Sequence, residues 1–198
     1  MFFSFISLAI VQLLALSVKQ CVADTSLKSL PYNFTLAALN TTLPNANSTG
    51  VPLVLAIDSV NIGEGIANYA TSTFFSFSVN DFPTLGLVNG NLKAASTART
   101  GLLFPNATDP TSGGKLEWLV QSINPPPIAR VFSAVEVPAH KHLVLAVHGN
   151  HDLWSLCPFD DFETKIVFDV ATVAKNPPSS LQFNPAKCFG VVINIVPV

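Results

Sequence analysis

The four histidines of this chain, His140, His142, His148 and His151, fall within a twelve-residue stretch. Zinc accepts three imidazoles and a water, so such a cluster raises a mononuclear metal site. On a continuous strand from 139 to 148, His140, His142 and His148 would share one face. Val144 and Ala146 would lie between them, leaving His142 and His148 about 20 Å apart in extended chain. The preferred reading is two surface histidines before a strand and two in the following turn, with no metal and no cofactor. Asp160, Asp161 and Glu163 could supply a carboxylate pair for glycoside hydrolysis, but such partners usually come from different strands, so this run reads as a solvated acidic loop. Trp118, Trp154, Tyr32 and Tyr69 could stack on sugar rings if exposed. Trp118 sits on an apolar strand face and reads as core. Trp154, beside His151 and Asp152, is the better candidate for a carbohydrate contact.

The Gly149-Asn150-His151-Asp152 core resembles one metal-binding block of the calcineurin-like metallophosphoesterases. That family draws its other ligands from an Asp-x-His and a Gly-Asp-x-x-Asp block, and neither occurs in this sequence. A two-metal site needs more ligands than one turn provides. The sequence has no Gly-x-Ser-x-Gly elbow and no P-loop, and Gly63-Glu64-Gly65 runs on to Asn68 where a dinucleotide loop wants glycine. With no complete catalytic motif, the expectation is a protein that is not an enzyme.

The first residues say where it works. Met1 to Val18 (MFFSFISLAIVQLLALSV) is almost unbroken apolar chain, followed by Lys19-Gln20-Cys21-Val22-Ala23 and polar Asp24-Thr25-Ser26. This pattern predicts a signal peptide over 1–23, cut after Ala23. The competing reading is a retained signal anchor, but Ser4, Ser7, Gln12 and Ser17 dilute the run. Later apolar stretches are of strand length, and the C-terminal CFGVVINIVPV is too short and interrupted for a lipid-anchor signal. Secretion to the extracellular space or cell wall is expected, with no stable membrane insertion after cleavage. Cleavage removes Cys21 from the three cysteines, leaving Cys157 and Cys188 to pair. A reactive thiol would need basic neighbours, whereas Cys157 is flanked by Leu156, Pro158 and Phe159. Sequons for N-glycosylation stand at Asn33, Asn40, Asn47 and Asn106. The first three are seven residues apart and predict a glycan-covered face or edge near the start of the mature protein.

Loss of Lys19 with the leader takes the ten basic residues to nine against twelve acidic ones, a net charge of about −3 with no basic patch for nucleic acid. Charged residues make up about an eighth of the mature chain, half the usual share, so solubility must rest on Ser, Thr, Asn and attached sugars. Period-two alternation marks strands: Phe75, Phe77 and Val79; Leu116, Trp118 and Val120; Ile166, Phe168 and Val170. Apolar runs at Val51 to Ile57, Val131 to Val137, Leu143 to Val147 and Val191 to Val196 add more, and Leu27 to Leu39 reads as extended chain. Asn89-Gly90 between Leu85/Leu87 and Leu92/Ala94 predicts a tight hairpin. Short strands separated by proline, glycine and asparagine predict an all-β fold, a single antiparallel sandwich or barrel-like domain. The expected organisation is a leader over 1–23, a glycosylated N-terminal segment of the mature domain over 24–50 and a β-rich domain over 51–198.

Asn89-Gly-Asn-Leu-Lys93 in a hairpin, Leu153-Trp-Ser-Leu-Cys157-Pro158-Phe159, a strand from Lys165 to Val170, and Cys188-Phe-Gly190 before a last apolar strand together resemble secreted fungal cell-wall proteins related to the phialide-associated protein PhiA. The similarity covers about 100 residues, and its most specific elements are the two cysteines with their neighbours. The N-terminal half departs from that pattern, lacking the second cysteine pair those proteins carry. The resemblance implies an extracellular or wall-associated role, with cell-wall polysaccharide or wall proteins as partners. The expectation is therefore a secreted, non-enzymatic, wall-associated glycoprotein. The alternatives are a carbohydrate-binding module and, third, a secreted hydrolase of unrecognised type.

Overall fold

A computed structural model describes residues 25–95, 105–121, 126–138 and 140–198. The expected leader over 1–23, with Cys21, lies outside the described residues. The described residues are nearly all β, with 47% of them in strands and 6% in helix. The strands are β1 Ser26–Leu27, β2 Phe34–Asn40, β3 Val51–Asn61, β4 Ile66–Thr73, β5 Thr84–Val88, β6 Asn91–Ala95, β7 Asn106–Ala107, β8 Glu117–Gln121, β9 Phe132–Val135, β10 Leu143–Val147, β11 Trp154–Pro158, β12 Thr164–Phe168 and β13 Phe189–Pro197. A short helix α1, Val170–Lys175, and a 3-10 turn, Pro185–Lys187, lie between β12 and β13.

Among the described residues these strands form one antiparallel sheet in the order β1, β9, β10, β13, β11, β12, β4, β3, β2, β5, β6, β7, β8. Additional β13–β2 and β4–β8 pairings close much of the sheet on itself, which gives it a barrel-like character. Closure works because three strands each divide one edge between two partners. β2 bonds β3 at Ala37 and Ala38 and β5 at Phe34. β4 bonds β8 over Ile66 to Ala70 and β12 at Ser72. β13 bonds β10 at Ile195 and Asn194 and β11 at Gly190 and Phe189. β2 thus runs between β13 and β3, and residues 25–50 are built into the same core as the rest of the chain.

Inward-facing residues of nearly every strand meet in one apolar core that includes Phe34, Leu55, Leu87, Trp118, Phe132, Trp154, Ile166 and Ile193. Alternation holds in β8, where Leu116, Trp118 and Val120 are buried while Glu117, Leu119 and Gln121 are half-exposed. The expected hairpin forms between β5 and β6. Val88 pairs with Asn91, while Asn89 and Gly90 take positive φ of 50° and 77°. Gly90 has a second reason to be glycine, since a Cβ there would stand 2.8 Å from the Arg130 carbonyl oxygen.

Two expectations need correction. Phe75, Phe77 and Val79 do not form a strand; β4 ends at Thr73 and the chain turns through Phe74–Ser76. The strand lies just upstream, where the polar Thr71, Ser72 and Thr73 take buried places because their hydroxyls are satisfied. Thr71 Oγ1 accepts from Trp118 Nε1 at 2.8 Å, Ser72 Oγ donates to the Thr164 carbonyl at 2.6 Å, and Thr73 Oγ1 bonds Thr164 Oγ1 at 3.0 Å. Val170 leaves the strand pattern as well. It opens α1 after Asp169, whose carboxylate accepts from the Thr172 amide at 3.3 Å as an N-cap.

Candidate functional site

The outer face of the sheet carries a charged cluster where β4 forks between β8 and β12. Asp58 stands on β3 at a register irregularity between Ile57 and Ser59. Lys115 lies on the lead-in to β8, bridged to Val167 of β12, and Lys165 lies on β12 opposite Ser72. Both ammonium groups converge on Asp58, Lys165 Nζ at 2.5 Å from Oδ1 and Lys115 on Oδ2. Each lysine has a second carboxylate, Glu117 at 3.3 Å from Lys115 and Glu163 at 3.1 Å from Lys165. The Phe159 ring lies beside both, its centroid 5.0 Å from Lys165 Nζ and 5.8 Å from Lys115 Nζ. Burial pushes the Asp58 carboxyl up, but the hydrogen bonds and charges of the two lysines outweigh it and hold the group below the usual carboxylate range. Burial likewise pulls Lys165 down, and its bonds to Asp58 and Glu163 overcome this, so its net shift is upward.

Beside this cluster runs a groove of about 320 Å³, lined among others by Asp109, Lys115, Glu117, Phe159, Gln182 and Phe183. Its far wall is the segment carrying α1 and the 3-10 turn, which packs over Cys157 and Val167 through Val170, Val173, Leu181 and Phe183. The expected disulfide pins that wall: Cys157 and Cys188 are bonded, with sulfurs 2.06 Å apart. On the 108–114 loop, Ser112 Oγ donates to Asp169 at 2.6 Å and Asp109 bonds His148 Nε2 at 2.7 Å. The hydroxyl and the imidazole are thus held by different carboxylates, and Ser112 is not joined to a base. Lys115 and Lys165 are likewise spent on carboxylates rather than poised as free amines. Chemically the groove offers hydrogen-bonding and aromatic walls.

The structure disperses the histidines. His140 and His142 precede β10, while His148 and Gly149 form the two-residue tip of a turn in which Val147 and Asn150 exchange backbone bonds of 2.9 Å, with φ of 51° and 80° at the tip. The Gly-Asn-His-Asp block is therefore turn chemistry. Among the described residues no group of three or more His, Cys, Asp or Glu side chains is arranged to hold a metal. Asp160 shapes the acidic loop as an Asx turn, its Oδ1 accepting from the Phe162 and Glu163 amides at 2.8 and 2.6 Å.

Trp154 is not a carbohydrate contact. It is 0% exposed, its ring packs edge-on against Phe168 at 5.1 Å, and Nε1 donates to the Leu145 carbonyl at 3.1 Å. The polar neighbours His151 and Asp152 belong to the preceding turn, and the first residue of β11 already faces the core. The three N-terminal sequons lie at the two ends of β2. Asn40 and Asn47 hold the loop between β2 and β3, each through its side-chain oxygen. Asn33 stands at the other end of β2, seven strand residues away, which is roughly 23 Å. Asn106 lies in β7 between β6 and β8, with its side-chain nitrogen turned to the Pro126 carbonyl at 3.4 Å and its oxygen accepting from Asn91.

The exposed aromatics are others. Phe75 is 94% and Phe162 85% exposed, with Phe74 about half-exposed. The alternating pattern places Phe75 on an apolar strand face, and Phe162 stands inside an acidic run. The flanking carboxylates of Asp160, Asp161 and Glu163 were the available signal, since a phenylalanine among charges cannot be deeply buried cheaply. Comparison of the chain with protein-family models, curated proteins and solved structures finds no match.

Proposed function

We propose that this chain is a secreted, N-glycosylated protein without enzymatic activity that works outside the cell in association with the cell wall. The observation that carries this reading is the Cys157–Cys188 disulfide. It fastens the outer layer of the fold and belongs to an oxidising compartment, which is also where a leader such as 1–23 would deliver the chain. The resemblance to the PhiA-related wall proteins points the same way, and Asn33, Asn40 and Asn47 stand at loop or strand-end positions suited to glycans. A hydrolase reading gains little support from the groove beside Asp58, because its lysines and carboxylates neutralise one another.

The test is expression of the full chain, tagged at its C-terminus, in a fungal host, followed by fractionation into cytosol, wall and medium. The expected result is a protein beginning at Asp24, found in wall or medium, with no free thiol and a gel shift on enzymatic removal of N-glycans. Unprocessed protein confined to the cytosol with reduced cysteines would refute the reading. The carbohydrate-binding alternative is favoured by one specific feature, the exposed pair Phe75 and Phe162.

A further inference from the structure

Two turns leave the sheet side by side at the end of β4 and the start of β12. Lys165 pairs with Ser72, and the turn carrying Phe75 and the turn carrying Phe162 lie just beyond that pair on neighbouring strands. The two turns are tied by a triangle of hydroxyls. Thr73 Oγ1 and Ser76 Oγ are 2.8 Å apart, and each bonds Thr164 Oγ1, at 3.0 and 2.9 Å. Ser76 Oγ also accepts from the Thr164 amide at 3.2 Å. On one side, the Ser76 and Phe77 amides donate to the Thr73 carbonyl at 3.1 Å; on the other, Asp160 Oδ1 braces Phe162 and Glu163. Two large rings, 94% and 85% exposed, therefore stand on turns whose backbones are already ordered. Little backbone entropy remains to be lost when something covers them.

The charge around the rings is net negative. Asp160 and Asp161 are exposed beside Phe162, while Glu163 is engaged by Lys165. Lys165 and Lys115 are both held by Asp58, and exposed Lys187, which lines a groove with Asp160 and Asp161, offsets one of these two carboxylates. The remaining charge disfavours phosphorylated, sulfated or uronic polymers, anionic lipid surfaces and a second copy of the patch. A peptide anchor would need a desolvated pocket, whereas these rings protrude. What fits is a flat, stackable ligand carrying positive charge: a sugar ring laid on a phenyl face, with an ammonium group free to reach a carboxylate or the ring itself.

We infer that Phe75 and Phe162, with Asp160 and Asp161, form a binding surface for a polysaccharide of cationic amino sugars. This deepens the extracellular, wall-associated reading and rests on it for biological meaning. Binding is measured on purified protein, however, so the two can fail separately: mislocalisation would sink the first alone, and lack of retention the second alone.

The experiment is a retention assay of the purified mature protein on insoluble chitosan, chitin and β-glucan, and on immobilised polylysine, at a pH where the chitosan amines carry charge. The proteins compared are the wild type, a Phe75→Ser/Phe162→Ser double variant and an Asp160→Asn/Asp161→Asn double variant. The expected result is preferential retention on chitosan that weakens with salt and falls about tenfold or more in the aromatic variant. The Asp variant should bind chitosan no better than it binds chitin. All replaced side chains are at the surface, so unchanged thermal unfolding of the aromatic variant serves as the folding control. Equal chitosan retention by the aromatic variant and the wild type would overturn the inference. Equal retention on neutral β-glucan would overturn its charge component, and stronger retention on polylysine would replace the glycan with a basic protein partner.

Discussion

Replacing Asp58 with asparagine tests whether the charged cluster holds the sheet together at its fork. Asp58 reaches from β3 across β4 to Lys115 on the β8 side and Lys165 on the β12 side, so one carboxylate clamps the two strands that divide the β4 edge. The three side chains are only 15%, 14% and 8% exposed. Removing one member of a buried ion pair costs about 3–5 kcal/mol when the remaining charge has no partner. Here each lysine keeps a glutamate, Glu117 at 3.3 Å and Glu163 at 3.1 Å, and the amide oxygen of asparagine can still accept one bond. The expected loss for Asp58→Asn is therefore about 2–3 kcal/mol. For a chain of this length that corresponds to a lowering of Tm by about 5–10 °C. Urea unfolding followed by tryptophan fluorescence would measure it, because Trp118 and Trp154 are both fully buried and report loss of the core. The pH dependence has a definite sign. The lysines hold the folded-state pKa of Asp58 below its unfolded value, so its contribution is fully present above about pH 5 and is lost as pH falls through the folded value. The variant lacks that acid-labile contribution and should show a flatter stability profile below about pH 4. A triple apolar replacement, Asp58→Leu with Lys115→Met and Lys165→Met, should cost less than Asp58→Asn, because the charges it leaves without a lysine, Glu117 and Glu163, reach solvent. A loss below about 1 kcal/mol for Asp58→Asn, or an unchanged acid profile, would refute the clamp.

Cys157→Ser with Cys188→Ser opens a loop with a sequence separation of 31 residues. The chain-entropy relation puts the cost at about 4 kcal/mol, to be read as a shift in urea midpoint between variant and wild type. A shift worth less than about 1 kcal/mol would mean that the outer layer is held by Val170, Phe183 and their neighbours without the bond. Trp154→Ala should cost about 3–5 kcal/mol by leaving a core cavity and an unpaired Leu145 carbonyl. Retention on any polysaccharide by the molecules that remain folded should be unaltered. Loss of retention at unchanged stability would return Trp154 to the surface role that its burial denies.

Much of the architecture was legible because its signals are local. Alternation of Leu116, Trp118 and Val120, the Asn89-Gly90 turn with its positive φ, and the apolar runs that became β3, β9, β10 and β13 need only the pleat and backbone sterics to be read. The pairing of Cys157 with Cys188 follows from arithmetic if Cys21 belongs to a removed leader. β4 escaped because three of its five buried residues are Thr71, Ser72 and Thr73, whose hydroxyls find partners on Trp118 and Thr164, far away in sequence. The Phe-rich stretch after it carried the stronger pattern and yet became an exposed turn, since the hydroxyls of Thr73 and Ser76 bind Thr164 and end the strand.

The cysteine pair, the sequons and the all-β class are each written in neighbouring residues or in a count. Which aromatics meet water is settled by long-range packing. Trp154, placed among polar neighbours, turns inward because β11 begins at that residue, and Phe75 and Phe162 turn outward because two distant turns share a hydroxyl network. Likewise Asp58, Lys115 and Lys165 are unremarkable surface charges until a closed sheet, whose strands divide their edges between partners, brings three separated segments within bonding distance. Side-chain exposure and charge pairing depend on long-range register, and register is a property of the whole sheet rather than of any one strand.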